Sequence, residues 1–143
     1  MTIPESETQQ PPKAAPQYQV SFERLAQLKR SPITLIADRR PASCPSRQKP
    51  DHELTNVKKL VDEVAKFSKN EENFIESEMP LQEIVFRIML SRRNRPTLLS
   101  DLHYELTEKW ATPMRPINIS QEALSKILDA DTYYGFFRLD PPR

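Results

Sequence analysis

The chain has 143 residues, a formal net charge of +1, fourteen prolines, one glycine, one cysteine and two histidines, a length that suits one domain or a smaller domain with a tail. Gly135 alone cannot build a glycine-rich phosphate loop or a dinucleotide fingerprint, Cys44 alone allows neither an internal disulfide nor a cysteine-based zinc site, and His52 and His103 lack HExxH-like spacing. No window approaches the roughly 18 apolar residues of a membrane span, and MTIPESETQQPP has neither the charged-then-apolar order of a signal peptide nor the acid-poor character of a transit peptide. The expectation is a soluble, cytoplasmic, non-enzymatic protein without cofactor or metal.

The near-neutral total conceals segregation. Residues 1–50 carry eight Lys/Arg and four Asp/Glu, residues 51–79 four and eight, and residues 80–143 nine and eight. A basic stretch beside an acidic one either binds an external polyanion or pairs with its own neighbour.

Eight of the fourteen prolines fall in residues 1–50, which read as a disordered, basic, proline-rich tail carrying one short helix over 21–30. That helix is capped by Ser21, stopped by Pro32, and spaces Phe22, Leu25 and Leu28 as three anchors on one side. Residues 33–37, ITLIA, read as a strand. A long amphipathic helix over 51–68 follows, capped by Asp51, with Leu54, Val57, Leu60, Val61, Val64 and Phe67 on one face. Residues 69–79 are an acidic linker, with Ser77 positioned to cap the next helix. From Pro80 the chain is most apolar: Leu81, Ile84, Val85, Ile88 and Met89 form one arc, and Phe86 and Leu90 extend it past half the circumference, which predicts either a central core helix covered by the 51–68 helix or a partner or homodimer surface at Phe86 and Leu90.

Over residues 80–143 the order of elements resembles a winged helix-turn-helix domain. Residues 81–90 are similar to its first helix, RRNRP to the connection, residues 97–99 to the short strand, and DLHYELTEKW, capped by Ser100, to the second helix. QEALSKILD, capped by Ser120, resembles the third helix, and TYYGFFRL a wing strand. With 51–68 this makes a mainly α, winged-helix-like domain over 51–143, its single wing strand pairing with 97–99. The resemblance implies that the third helix would enter a DNA groove in binding members of the superfamily. Here its outer side reads Glu122, Ser125, Lys126 and Asp129, and carboxylates facing a phosphate array are repelled where Lys and Arg would release counterions.

The functional expectation is therefore an adaptor or regulatory subunit that docks on another protein. Its contacts are assigned to Phe22, Leu25 and Leu28 in the tail, which either enter a partner's groove or fold back onto the chain's own domain, to Phe86 and Leu90, and to Tyr134 and Phe136, which strand alternation places together. Arg92, Arg93 and Arg95 are assigned to a polyanion or an acidic protein surface, or to a solvated helix end opposing the dipole. The alternative is a DNA- or RNA-associated regulator held by phosphate contacts from the same arginines and the tail.

Overall fold

The computed structural model describes residues 16–139. Strand β1 (Gln17–Val20) leads into helices α1 (Phe22–Gln27) and α2 (Pro32–Ala37), then two 3-10 turns at Pro45–Gln48 and Asp51–Glu53. Helices α3 (Val57–Ser68) and α4 (Leu81–Ser91), strand β2 (Thr97–Leu98), helix α5 (Leu99–Tyr104), helix α6 (Gln121–Asp129) and strand β3 (Phe136–Leu139) complete the chain. Helix α5 runs on as a π-helical segment, Glu105–Trp110. The protein is mainly helical, with one antiparallel sheet of order β2-β1-β3.

Its central strand comes from the segment expected to be a tail. Tyr18 stands opposite Thr97 in β2 and Arg138 in β3, and Tyr18, Val20, Leu25, Leu35, Ile36 and Ala37 all lie in the core. Residues 16–37 thus belong to the same core as α3–α6, which corrects the expected disorder of residues 16–19 and makes the helix expected over 21–30 part of the domain and not of a tail. The expectation for residues 1–15 lies outside the described residues.

Two further local readings change. Residues 33–37 are helical: Ser31 accepts from the Thr34 amide as N-cap and Pro32 occupies the first turn, a start signal that outweighs the β-branched composition of ITLIA. Helix α3 begins at Val57 on an Asn56 cap that accepts from the Lys59 amide, with Asp51 in a separate 3-10 turn. The acidic segment before α4 also contributes to the core through Phe74 and Ile75. Neither Ser77 nor Ser100 caps a helix, whereas Ser21 and Ser120 do.

Helix α4 is the centre of the core: Ile84, Val85, Phe86, Ile88, Met89 and Leu90 are all buried. Its C-terminus turns into the sheet through two consecutive left-handed residues, Arg93 (φ 61°) and Asn94 (φ 56°). Beyond them, the Asn94 carboxamide pairs with the Val20 backbone in both directions, its Oδ1 accepting from Val20 N at 2.9 Å and its Nδ2 donating to Val20 O at 2.9 Å. Gln19 Nε2 donates to the Asn94 carbonyl at 2.7 Å. The amide side chain thereby acts as a one-residue extension of the ladder ahead of the first residue of β2.

On the opposite edge, the same end of β1 is closed by the chain's one glycine. Gly135 (φ 83°) accepts from Ser21 N, and a Cβ there would lie 2.6 Å from Leu25 Cγ. Asp131 holds this turn by accepting from the amides of Tyr133, Tyr134, Gly135 and Phe136. Leu25 can pack flat against the turn only because no side chain stands at 135.

Two stability outcomes follow from the central position of β1. Asn94→Ala strands both Val20 backbone groups and should lower the unfolding free energy by roughly 2–4 kcal/mol in a urea titration. Deleting residues 1–20 should abolish cooperative thermal unfolding of the remainder, seen by circular dichroism; a truncated chain that still melts cooperatively near the original midpoint would contradict the central role of β1.

Candidate functional site

Three groups of polar or exposed side chains stand out on this frame, and each begins from a different part of the sequence. The first is buried. Glu83, in the first turn of α4, accepts two hydrogen bonds from Arg39 at 2.8 and 2.9 Å, one from Arg87 Nε at 2.7 Å and one from Tyr134 Oη at 2.8 Å. Arg39 also donates to the Leu35 carbonyl and Arg87 to that of Phe74. Burial alone would raise the carboxyl pKa, but the donors from Arg39, Arg87 and Tyr134 outweigh it and hold Glu83 at about 2. Burial and the Glu83 carboxylate push the Tyr134 hydroxyl upward, so it stays protonated and donating. Every oxygen of Glu83 is engaged by the fold, and the cluster ties α2, α4 and the turn before β3 together.

The second group is the outer side of α6. Tyr18 Oη donates to Asp129 Oδ1 at 2.7 Å and lies 3.0 Å from the Ser125 hydroxyl. Arg138 also reaches Asp129, at 3.5 Å. Burial, followed by contact with Asp129, raises the Tyr18 hydroxyl pKa despite the Ser125 bond. Two of the four residues assigned to a free helix face are thus engaged by the sheet, leaving Glu122 and Lys126 exposed with Gln121.

The third group is the arginine loop. The last turn of α4 is closed by amides that fold back on it: Arg92 N donates to the Ile88 and Met89 carbonyls, Arg93 N to Leu90 and Asn94 N to Met89. The left-handed conformation costs a side-chain-bearing residue roughly 1–2 kcal/mol, and the Asn94–Val20 pair offsets it. Arg92 turns to the Glu105 carboxylate, which also accepts from Trp110 Nε1. Arg93 and Arg95 point outward, and among the described residues neither side chain makes a hydrogen bond or an ion pair. Between them and the end of α3 lies a cleft of about 300 Å³ lined by Lys69, Ser91, Arg92, Arg93, Arg95 and Thr97 together with Pro96. Lys69 was not singled out from sequence; it enters because α3 packs on α4, which periodicity cannot specify.

The remaining assigned contact residues fall elsewhere. Leu25, Phe86 and Leu90 are fully buried and Phe136 is 3% exposed, so these four form core and not a docking surface. Phe22 and Tyr134 are half-buried against that core, and Leu28 is half-buried at the end of α1. Burying Leu25 at home contributes roughly 1.5–3 kcal/mol that a partner's groove would have to replace. The large apolar side chains that do reach solvent are Met114, Tyr104, Phe137 and Tyr133. Phe137 emerges because the Asp131 turn consumes residues through Gly135 and starts β3 with Phe136 inward. Met114 sits at the tip of a turn closed by reciprocal Thr112–Arg115 backbone bonds.

Among the described residues no group of three or more His, Cys, Asp or Glu side chains could hold a metal ion, and no helix is long and apolar enough to cross a membrane. Compared with protein-family models, with curated proteins and with solved structures, the chain matches none.

The Glu83 cluster sets a pH dependence. Because the folded-state pKa of about 2 lies below the ordinary 4.5, its contribution is complete above pH 4.5 and is lost as pH falls towards 2. It amounts to about 3 kcal/mol at neutral pH. Urea midpoints measured from pH 6 down to pH 2 should fall more steeply for the native chain than for Glu83→Gln, and Tyr134→Phe should cost about 1 kcal/mol at pH 7. Parallel slopes for the native chain and Glu83→Gln would contradict the assignment.

Proposed function

We propose that this protein is a non-enzymatic adaptor or regulatory subunit, acting in the cytoplasm by contact with another protein, on a winged-helix-like arrangement of residues 80–139. Supporting the winged-helix reading is the succession of α4, β2, α5, α6 and β3, with β2 and β3 in one sheet. The sheet differs from a wing hairpin in that β1, from earlier in the chain, lies between them.

The observation that carries the protein-docking reading is the state of α6. A groove-reading helix must offer a row of free hydrogen-bonding side chains to base edges. On α6, Ser125 and Asp129 are engaged by Tyr18, and Glu122 repels phosphate beside the lone cation Lys126. Against an enzyme, the two carboxylates most drawn into the fold, Glu83 and Asp131, are saturated by internal donors, whereas a general acid or base must reach a substrate proton.

The experiment is a fluorescence titration against duplex DNA of varied sequence, paired with affinity capture before and after nuclease treatment. Duplex binding should be weak, indifferent to sequence and steeply dependent on salt, and captured protein should survive nuclease. Nanomolar binding to one duplex at physiological salt, lost on Lys126→Ala, would overturn this reading in favour of a nucleic-acid-associated regulator.

A further inference from the structure

The fold engages most of its buried and partly buried cations: Arg39 and Arg87 on Glu83, Arg40 near Asp51, Arg92 on Glu105, Arg24 on the Asp131 carbonyl. The cleft beside the arginine loop gathers exposed cations instead. Lys69, Arg93 and Arg95 converge on about 300 Å³ of space, and no carboxylate lines it. Their side chains make no hydrogen bond or ion pair among the described residues. Three like charges facing one concavity repel one another, and the backbone that presents Arg93 is held in a conformation unfavourable for any residue with a side chain.

Two neighbouring features act against an anion, and both are already compensated. Glu105 is neutralised by Arg92. The carbonyls that make a helix C-terminus negative are here occupied by the amides of residues 92–94. The charged side chains that line the cleft are thus Lys69, Arg93 and Arg95, with Arg92 paired to Glu105.

We propose that this cleft binds a phosphate monoester on a partner protein, a phosphoserine or phosphothreonine, with Lys69, Arg93 and Arg95 as its cationic ligands. The proposal rests on the adaptor reading and names the partner's chemistry. One carboxylate brings a single negative charge and leaves most of the cluster uncompensated. A phosphomonoester brings about −1.5 to −2 and three acceptor oxygens on one compact group, and guanidinium forks suit such oxygens in pairs. The small size of the concavity, about 300 Å³, suits one compact group, whereas a duplex offers one charge per phosphate along a track.

The test uses the full chain and four probes: an alanine-flanked phosphoserine pentapeptide, the same peptide with serine, the same with glutamate, and a ten-residue single-stranded oligothymidylate. Binding is read by isothermal titration and by amide chemical shifts. The phosphopeptide should bind at least about tenfold more tightly than the glutamate peptide and shift the amides of Lys69 and residues 91–97. Lys69→Gln, Arg93→Gln and Arg95→Gln should each weaken it by about tenfold, the loss expected for one charge-assisted contact. These three side chains support no fold contact, so the variants should keep the native circular dichroism spectrum. Equal binding of the glutamate peptide, tighter binding of the oligonucleotide, shifts elsewhere, or no effect of the substitutions would each overturn the proposal. If phosphopeptide binding fails while nuclease-resistant capture persists, the cleft assignment falls and the adaptor reading stands. Capture abolished by nuclease would bring down the adaptor reading itself.

Discussion

Two hydrogen bonds between one side-chain amide and one backbone residue join the end of α4 to the central strand of the sheet. Asn94 reads Val20 as a neighbouring strand would, at the point where β2 is too short to do so. Because Asn94 is also where α4 ends, the same contact sets the direction in which the central helix enters the sheet. It also fixes the left-handed turn that points Arg93 and Arg95 away from the core. Sheet, helix terminus and basic cleft share this anchor. A buried amide with only one of these bonds would be costly, whereas with both it specifies a single register.

The segregation of charge along the chain acquires a structural meaning here. Basic residues of 1–50 find acids in both later segments: Arg40 lies near Asp51 of the acidic stretch 51–79 and Arg39 pairs with Glu83 in α4, while the Ser46 amide donates to Glu63. Of the alternatives that composition allows, an external polyanion or internal pairing, these contacts satisfy the second for Arg39 and Arg40. The external possibility moves to cations contributed by two helices distant in sequence, Lys69 after α3 and the arginines after α4.

Legibility followed locality. Helices α3, α4 and α6 were visible because an apolar face repeats within each, and Ser21 and Ser120 were visible as caps because capping acts over three residues. Helix α2 was misread since a five-residue β-branched run has no decisive period; the Ser31–Pro32 start signal carried the missing information. Strand β1 was invisible for a different reason. QYQV lies after a proline-rich, glutamine-rich stretch, and its stability comes from Thr97, Leu98 and β3, not from its own composition. Asn94 was legible only as part of a wet loop, and Leu25, Phe86, Leu90 and Phe136 only as apolar. Which apolar residues are covered is decided by the sheet they pack under. The arginine knot was found from sequence, but the cleft was not, since it needs Lys69 brought across from another helix.

The placement of β1 also governs the order in which the chain can become a protein on the ribosome. Tyr18 must find Thr97 and Arg138, partners roughly 80 and 120 residues downstream, so the middle strand is synthesised first and completed last. Until Leu139 has emerged, α1, α2 and α4 hold apolar faces with no sheet to cover them, and closing such distant pairings is intrinsically slow. A nascent chain in that condition exposes apolar surface of the kind that chaperones and proteases engage. Its yield in the cell should therefore respond to translation speed across the last third of the message more than to substitutions on the finished surface.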